Sequence, residues 1–100
     1  MNNYLVYLLL CKRKDSLVFY TGITNDWDRR WHQHVTGQGA KFTRAFKPIE
    51  GMIYLKGLTR SRALKVEKSV KNLPAKDKRK LWEAIWENVK KGKGNQDINL

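Results

Sequence analysis

Cysteine occurs once in this chain, at Cys11, so no intrachain disulfide can form and a reducing, cytoplasmic setting is expected. Cys11 closes an apolar run, where a small core residue is the expected role rather than a reactive thiol. No apolar stretch approaches the roughly 20 residues needed to span a bilayer. The N-terminus has no basic lead, long apolar stretch and small-residue cleavage site, so no signal peptide is expected. Acidic residues are also few, nine against 21 lysines and arginines. That imbalance points to a polyanionic partner, with nucleic acid ahead of a membrane surface. Cys/His metal clusters, a serine-nucleophile elbow and a dinucleotide fingerprint are all missing.

What is present is enough for one modest core in 100 residues, and too little for two. The pattern predicts a single domain over 1–89 and a flexible basic and polar tail over 90–100, where apolar periodicity stops. Tyr4 to Cys11 is a continuous apolar run, the mark of a strand buried on both faces. Lys12 to Ser16 is a polar link to a second run, Leu17 to Tyr20, and the two read as a hairpin. Gly22 is expected to let the chain leave the second strand. Asn25 is the expected N-cap of a helix with Asp26 and Asp28 in its first turn, an apolar stripe Trp27, Trp31 and Val35, and Gly37 at its end. Gly37 to Lys47 reads as a basic loop. Ile49 to Leu55 reads as a third strand, interrupted early by Gly51. Thr59 would cap a second helix reaching about Leu73, and Pro74 suits the first turn of a third. Leu81, Trp82, Ile85, Trp86 and Val89 would be the third helix's apolar face. The expected fold is α+β, a small three-stranded and mainly antiparallel sheet flanked by helices in the order β-β-α-β-α-α.

Against that frame, a few polar residues stand out. Arg30 and His34 are four apart and share a helix face at the rim of the tryptophan stripe. Arginine's planar fork can hold two phosphate oxygens and stays charged, although an ordinary Asp26–Arg30 surface pair would use the same spacing. Glu67 is the only acid between Gly51 and Lys76. A helical wheel puts it within an apolar arc of Leu73, Val66, Val70, Ala63 and Leu64. A carboxylate there needs neutralising, either by a hard divalent cation or by Lys71 one turn on. Tyr7 and Tyr20 fit core positions, and near a metal or arginine a phenol can also hold or relay the proton of an attacking water. Gly37 to Arg44 offers backbone amides, Lys41 and Arg44 to phosphates, without the Gly-Lys-Ser/Thr ending of a P-loop.

Taken together, Val6-Tyr7-Leu8-Leu9, Tyr20-Thr21-Gly22-Ile23-Thr24, the Arg29-Arg30…His34 helix, Gly39 to Arg44 and Glu67 resemble the GIY-YIG nuclease superfamily. The likeness is greatest to its small stand-alone members, similar to the catalytic domain of structure-specific, junction-resolving endonucleases, and covers about residues 4 to 82. The Gly-Ile-Tyr triplet itself is absent although its tyrosine is kept. The asparagine that many superfamily nucleases carry beyond the glutamate has no secure counterpart; Asn72 follows Glu67 too closely, and Asn88 is the other candidate.

The resemblance implies a divalent-metal-dependent endonuclease that hydrolyses DNA phosphodiesters, directed by structure rather than sequence, in repair or recombination. Tyr7, Tyr20, Arg30, His34 and Glu67 would be catalytic, with Glu67 holding Mg²⁺ or Mn²⁺. Arg29, Lys41, Arg44, Lys68 and Lys71 would bind the backbone. The DNA could be branched or single-stranded, RNA is a further candidate, and a partner subunit or homodimer stays open. The competing reading is a module of the same fold that binds nucleic acid without cutting it. Charge used alone, in a ribosome- or nucleoid-associated structural protein, is a third.

Overall fold

The computed structural model describes residues 2–90. Seven elements follow in order: β1 (Tyr4–Arg13), β2 (Ser16–Thr24), α1 (Trp27–Val35), α2 (Lys41–Ala45), β3 (Pro48–Leu58), α3 (Arg60–Lys71) and α4 (Ala75–Lys90). The strands form one antiparallel sheet in the order β2-β1-β3. This is the expected α+β architecture, with the short α2 added between α1 and β3. Of the predicted tail 90–100, Lys90 ends α4 and the rest lies outside the described residues.

The central strand β1 is apolar on both faces because both faces are covered. Leu5, Tyr7, Leu9 and Cys11 pack with Ile53 and with Trp27, Trp31, Phe42 and Phe46 on the α1/α2 side. Leu8 packs with Met52, Val70, Trp82 and Ile85 on the α3/α4 side. Cys11 is fully buried, and burial pushes its thiol up to about 11; it is an inert core residue.

Several boundaries differ from the sequence reading, each for a local reason. The hairpin link is shorter than the polar stretch suggested, because Arg13 pairs with Ser16 and only Lys14 and Asp15 turn, with Lys14 at φ 52°. Helix α1 is capped by Asp26, one residue later than Asn25. The Asp26 backbone N–H donates to the Thr24 hydroxyl (3.0 Å), and its carboxylate accepts from the Arg29 N–H (3.2 Å). Gly37 sits just past that helix at φ +81°. Within the predicted loop, Phe42 and Phe46 lie one turn apart with rings 5.1 Å from each other, which wraps 41–45 into α2.

Gly51 does not interrupt β3. It lies inside the strand, and a Cβ there would press on Leu9, Trp31 and Trp27, so the glycine seats the two indoles against the sheet. Thr59 caps α3 as expected, accepting from the Arg62 N–H at 3.1 Å. On α4, Trp82 and Ile85 are buried, whereas Trp86 is 38% exposed and stands outside the core.

Candidate active site

Tyr7 is where the site is built. Strand β1 turns its ring toward α1, between Trp27 (ring centroids 5.2 Å apart) and His34 (5.6 Å). Its hydroxyl is fully buried and meets two side chains of α1: His34 Nε2 at 2.8 Å, and Arg30, whose Nε–H donates to it at 3.3 Å. The four-residue spacing of Arg30 and His34 therefore does bring both onto one oxygen. Burial pushes the Tyr7 phenol up to about 12; Arg30 pulls the other way, and Tyr20 and Glu67 add to the rise.

Gly22 makes room for this ring. It stands opposite Tyr7 in the β1–β2 register and remains inside β2 rather than at its exit. A methyl at Gly22 would overlap the Tyr7 hydroxyl and lie 2.5 Å from Cζ.

His34 is buried, not at the rim of the core as the helix pattern suggested, with only 1% of its surface exposed. Its Nδ1 lies 2.7 Å from the hydroxyl of Thr43, a buried residue of α2. Burial, with Arg30's positive charge second, holds the imidazole down at about 4, so it is neutral at physiological pH. Gly39 lets the chain pass over this ring, since a Cβ there would overlap Nδ1.

Arg30 is half-buried. Its Nη1 donates to Gln33 Oε1 at 3.0 Å. Burial works against its charge, but the hydroxyls of Tyr7 and Tyr20 outweigh that and raise its pKa. The alternative Asp26–Arg30 pair does not form; Asp26 caps the helix instead.

Tyr20 is the more accessible tyrosine. Its half-buried ring lies 5.4 Å from the His34 ring, 5.5 Å from Phe42 and 6.5 Å from Tyr7. Helix α3 packs against β2 and brings Lys71 Nζ to 5.9 Å over the same ring. Lys71 also pairs with Glu67 at 3.3 Å, and the glutamate side chain is 18% exposed. The wheel was right that Glu67 is partly enclosed beside Ala63, Val66 and Val70, but Leu64 is 39% exposed and outside that arc.

Glu67 belongs to no larger ligand cluster: among the described residues no group of three or more His, Cys, Asp or Glu could hold a metal. A lone carboxylate still fits Mg²⁺, which takes one or two carboxylates and completes its shell with water and substrate phosphate. Arg29, Lys41, Arg44 and Lys68 are exposed around these elements.

The tyrosines, Arg30 and His34 thus gather on the α1/α2 side of β1 and β2, with Lys71 of α3 reaching Tyr20 and Glu67 paired to Lys71 behind it. Sequence reasoning missed Gln33 and the contact of Thr43 with His34. Gln33 had one available signal, its place one turn after Arg30 on the same helix face. Thr43 had none, because its partner is nine residues away across a loop.

The family model for the GIY-YIG catalytic domain matches residues 3–81. UPF0213 proteins of Neisseria meningitidis serogroups C and B are each 44% identical over 82 residues, covering 82% of this chain and 87% of theirs. A UPF0213 protein of Cupriavidus necator is 47% identical over 74 residues, covering 74% of this chain and 77% of its own. No solved structure gives a significant match.

Proposed function

The chain belongs to the GIY-YIG catalytic-domain family, and from that premise we propose that it is a metal-dependent endonuclease that hydrolyses DNA phosphodiesters according to structure rather than sequence. The observation that carries this reading is Arg30: a half-buried guanidinium, oriented by Tyr7 and Gln33, with N–H groups left over for a ligand. An arginine held in this way can meet charge as it builds on phosphoryl oxygens without reorganising at that moment.

The two tyrosines take different parts. Tyr7 is fully buried and cannot touch the attacking water. Nor does a phenol held near 12 surrender its proton to an imidazole held near 4. Tyr7 and His34 therefore position Arg30. Tyr20, half-buried beside Lys71, the ion-pair partner of Glu67, accepts a hydrogen bond from the attacking water and orients it.

Glu67 would hold Mg²⁺ or Mn²⁺. When bound, that ion polarises the scissile phosphate and neutralises charge on the leaving oxygen. Lys71 would be released from its pair with Glu67, free for the phosphate backbone alongside Arg29, Lys41, Arg44 and Lys68.

The test is cleavage of branched, flap and single-stranded DNA by the purified chain, with and without Mn²⁺. Arg30→Ala should reduce turnover by roughly 100- to 1,000-fold, the scale for one preorganised donor, and weaken binding far less. Tight binding of several substrates with no cleavage of any would replace this reading with the binding module of the same fold.

A further inference from the structure

The chain of side chains behind Arg30 runs between two groups whose roles cannot change. At one end the guanidinium of Arg30 can only donate; at the other the carbonyl of Ala40 can only accept. Between them lie Tyr7, His34 and Thr43. Thr43 Oγ1 donates to Ala40 O at 3.1 Å and lies 2.7 Å from His34 Nδ1. A hydroxyl has a single proton, so Thr43 offers Nδ1 a lone pair and Nδ1 must carry the imidazole's hydrogen. His34 Nε2 is then bare and accepts from the Tyr7 hydroxyl at 2.8 Å. The Tyr7 oxygen, having given its proton to His34, accepts from Arg30 Nε–H.

The opposite tautomer fails at Tyr7, not at Ala40. The Ala40 carbonyl also accepts the Arg44 N–H at 3.1 Å, so it could lose Thr43's proton at little cost. With hydrogen on Nε2, however, Tyr7 would receive from both His34 and Arg30. Its own O–H would then lack an acceptor in a place sealed from water, a cost of the kind buried groups avoid. A charged imidazolium fails in the same way.

We propose that Arg30, acting through the Tyr7 hydroxyl, selects the Nδ1–H tautomer of His34, and that Thr43 is a positioning residue that receives that N–H and holds the imidazole where Nε2 keeps the Tyr7 oxygen as the acceptor that aims Arg30. The claim rests on the reading of Arg30 as the phosphate-binding group. It gives α2 two functions: Lys41 and Arg44 stand exposed on it for the backbone, while Thr43, between them, ties the same helix to the group that would act on the phosphate.

The tautomer is measurable without substrate. In the full-length protein labelled with ¹⁵N-histidine, long-range ¹H–¹⁵N correlation distinguishes a protonated ring nitrogen from a bare one, and His32→Gln assigns the signals. We expect His34 to show hydrogen on Nδ1 and a bare Nε2. Hydrogen on Nε2 in the wild-type protein would overturn the proposal, whether or not any DNA is cut. Tyr7→Phe should weaken or abolish the preference, whereas Thr43→Val should keep it, leave Nδ1–H without its acceptor and lower kcat roughly tenfold, about the worth of one buried hydrogen bond, with KM little changed. Thr43→Ser should restore kcat. A Tyr7→Phe protein that keeps the full Nδ1–H preference would also overturn the proposal; if a variant does not fold, the wild-type and Thr43→Ser spectra still decide. A wild type with the expected tautomer and no nuclease activity would leave the hydrogen-bond assignment standing and remove the catalytic reading.

Discussion

Replacing Gly22 with alanine tests how the buried tyrosine is held. On backbone grounds alone the change should help, since alanine in a strand is favoured over glycine by roughly 0.5–1 kcal/mol. The structure reverses the sign. The new methyl would overlap the Tyr7 hydroxyl and lie 2.5 Å from Cζ and 3.1 Å from Cε2. Tyr7 has no free space to retreat into, being wholly buried against Trp27 and His34. Overpacking of that kind costs about 1–3 kcal/mol. Displacing the hydroxyl also breaks its bonds to His34 and Arg30 and leaves a buried imidazole nitrogen without a donor, adding on the order of 1–3 kcal/mol. Gly22→Ala should therefore lose roughly 2–5 kcal/mol in urea unfolding, a large share of the roughly 5–15 kcal/mol typical of a domain. Combining it with Tyr7→Phe, which removes the atom most crowded by the methyl, should recover part of the loss as a favourable coupling. A Gly22→Ala protein within about 0.5 kcal/mol of wild type would refute the packing argument, because that is the range of an uninvolved surface substitution.

Acid should destabilise the fold through His34, whose pKa burial holds down at about 4 against an ordinary value of about 6.5. Between those pH values the unfolded chain binds the extra proton, so stability is full above about 6.5 and declines toward 4 by about 3 kcal/mol in total; unfolding curves across that range should flatten in His34→Gln. Glu67→Gln keeps the shape and removes the charge, so calorimetric titration of Mn²⁺ should show binding lost; unchanged affinity would leave Glu67 as no more than the partner of Lys71. DNA affinity should fall linearly with salt on a log–log plot, at about −0.9 per phosphate contact on duplex, and Lys41→Ala or Arg44→Ala should each reduce the slope by about one; salt-insensitive binding would contradict a backbone-directed interface. Gln33→Glu places a carboxylate where Oε1 now lies 3.0 Å from Arg30 Nη1; stability should hold or rise while cleavage falls, and full activity would mean that Arg30's free charge is not what the site uses.

How far the sequence could be read depended on whether the determining partner was near or far along the chain. The unbroken apolar run at Tyr4 to Cys11 identified a strand covered on both sides, because only residues facing two layers can all be apolar. Thr59 revealed its helix because capping is a local exchange between a side chain and the next turn. Gly22 was legible as a letter of the Tyr20 to Thr24 motif but not as a space: its meaning comes from a register that sets it opposite Tyr7, fifteen residues away. His34 was misjudged for a related reason. On α1 alone it borders the polar face, and only the strand beneath and α2 above enclose it. Glu67 could be placed beside an apolar arc, yet the choice between a cation and Lys71 as its neutralising partner is not written in helical spacing, which serves both.

The scarcity of acids bears on the site itself. Among the described residues no carboxylate pairs with Arg30, and its acceptors are neutral oxygens of Tyr7 and Gln33. Neutral acceptors fix a guanidinium's direction while leaving its charge unspent, whereas a carboxylate in the same place would fix it and cancel it. Burial works against that charge, and Tyr7 and Tyr20 more than offset it, so Arg30 stays charged with no carboxylate paired to it. On the proposed reading a phosphate would supply the missing negative charge. Glu67 forms no ion pair with Arg30 and is paired with Lys71 instead. If the chain acts on phosphodiesters as proposed, its positive group for the phosphoryl oxygens and its negative group for a cation are not paired with each other. A fold stabilised only by its ion pairs would have joined them.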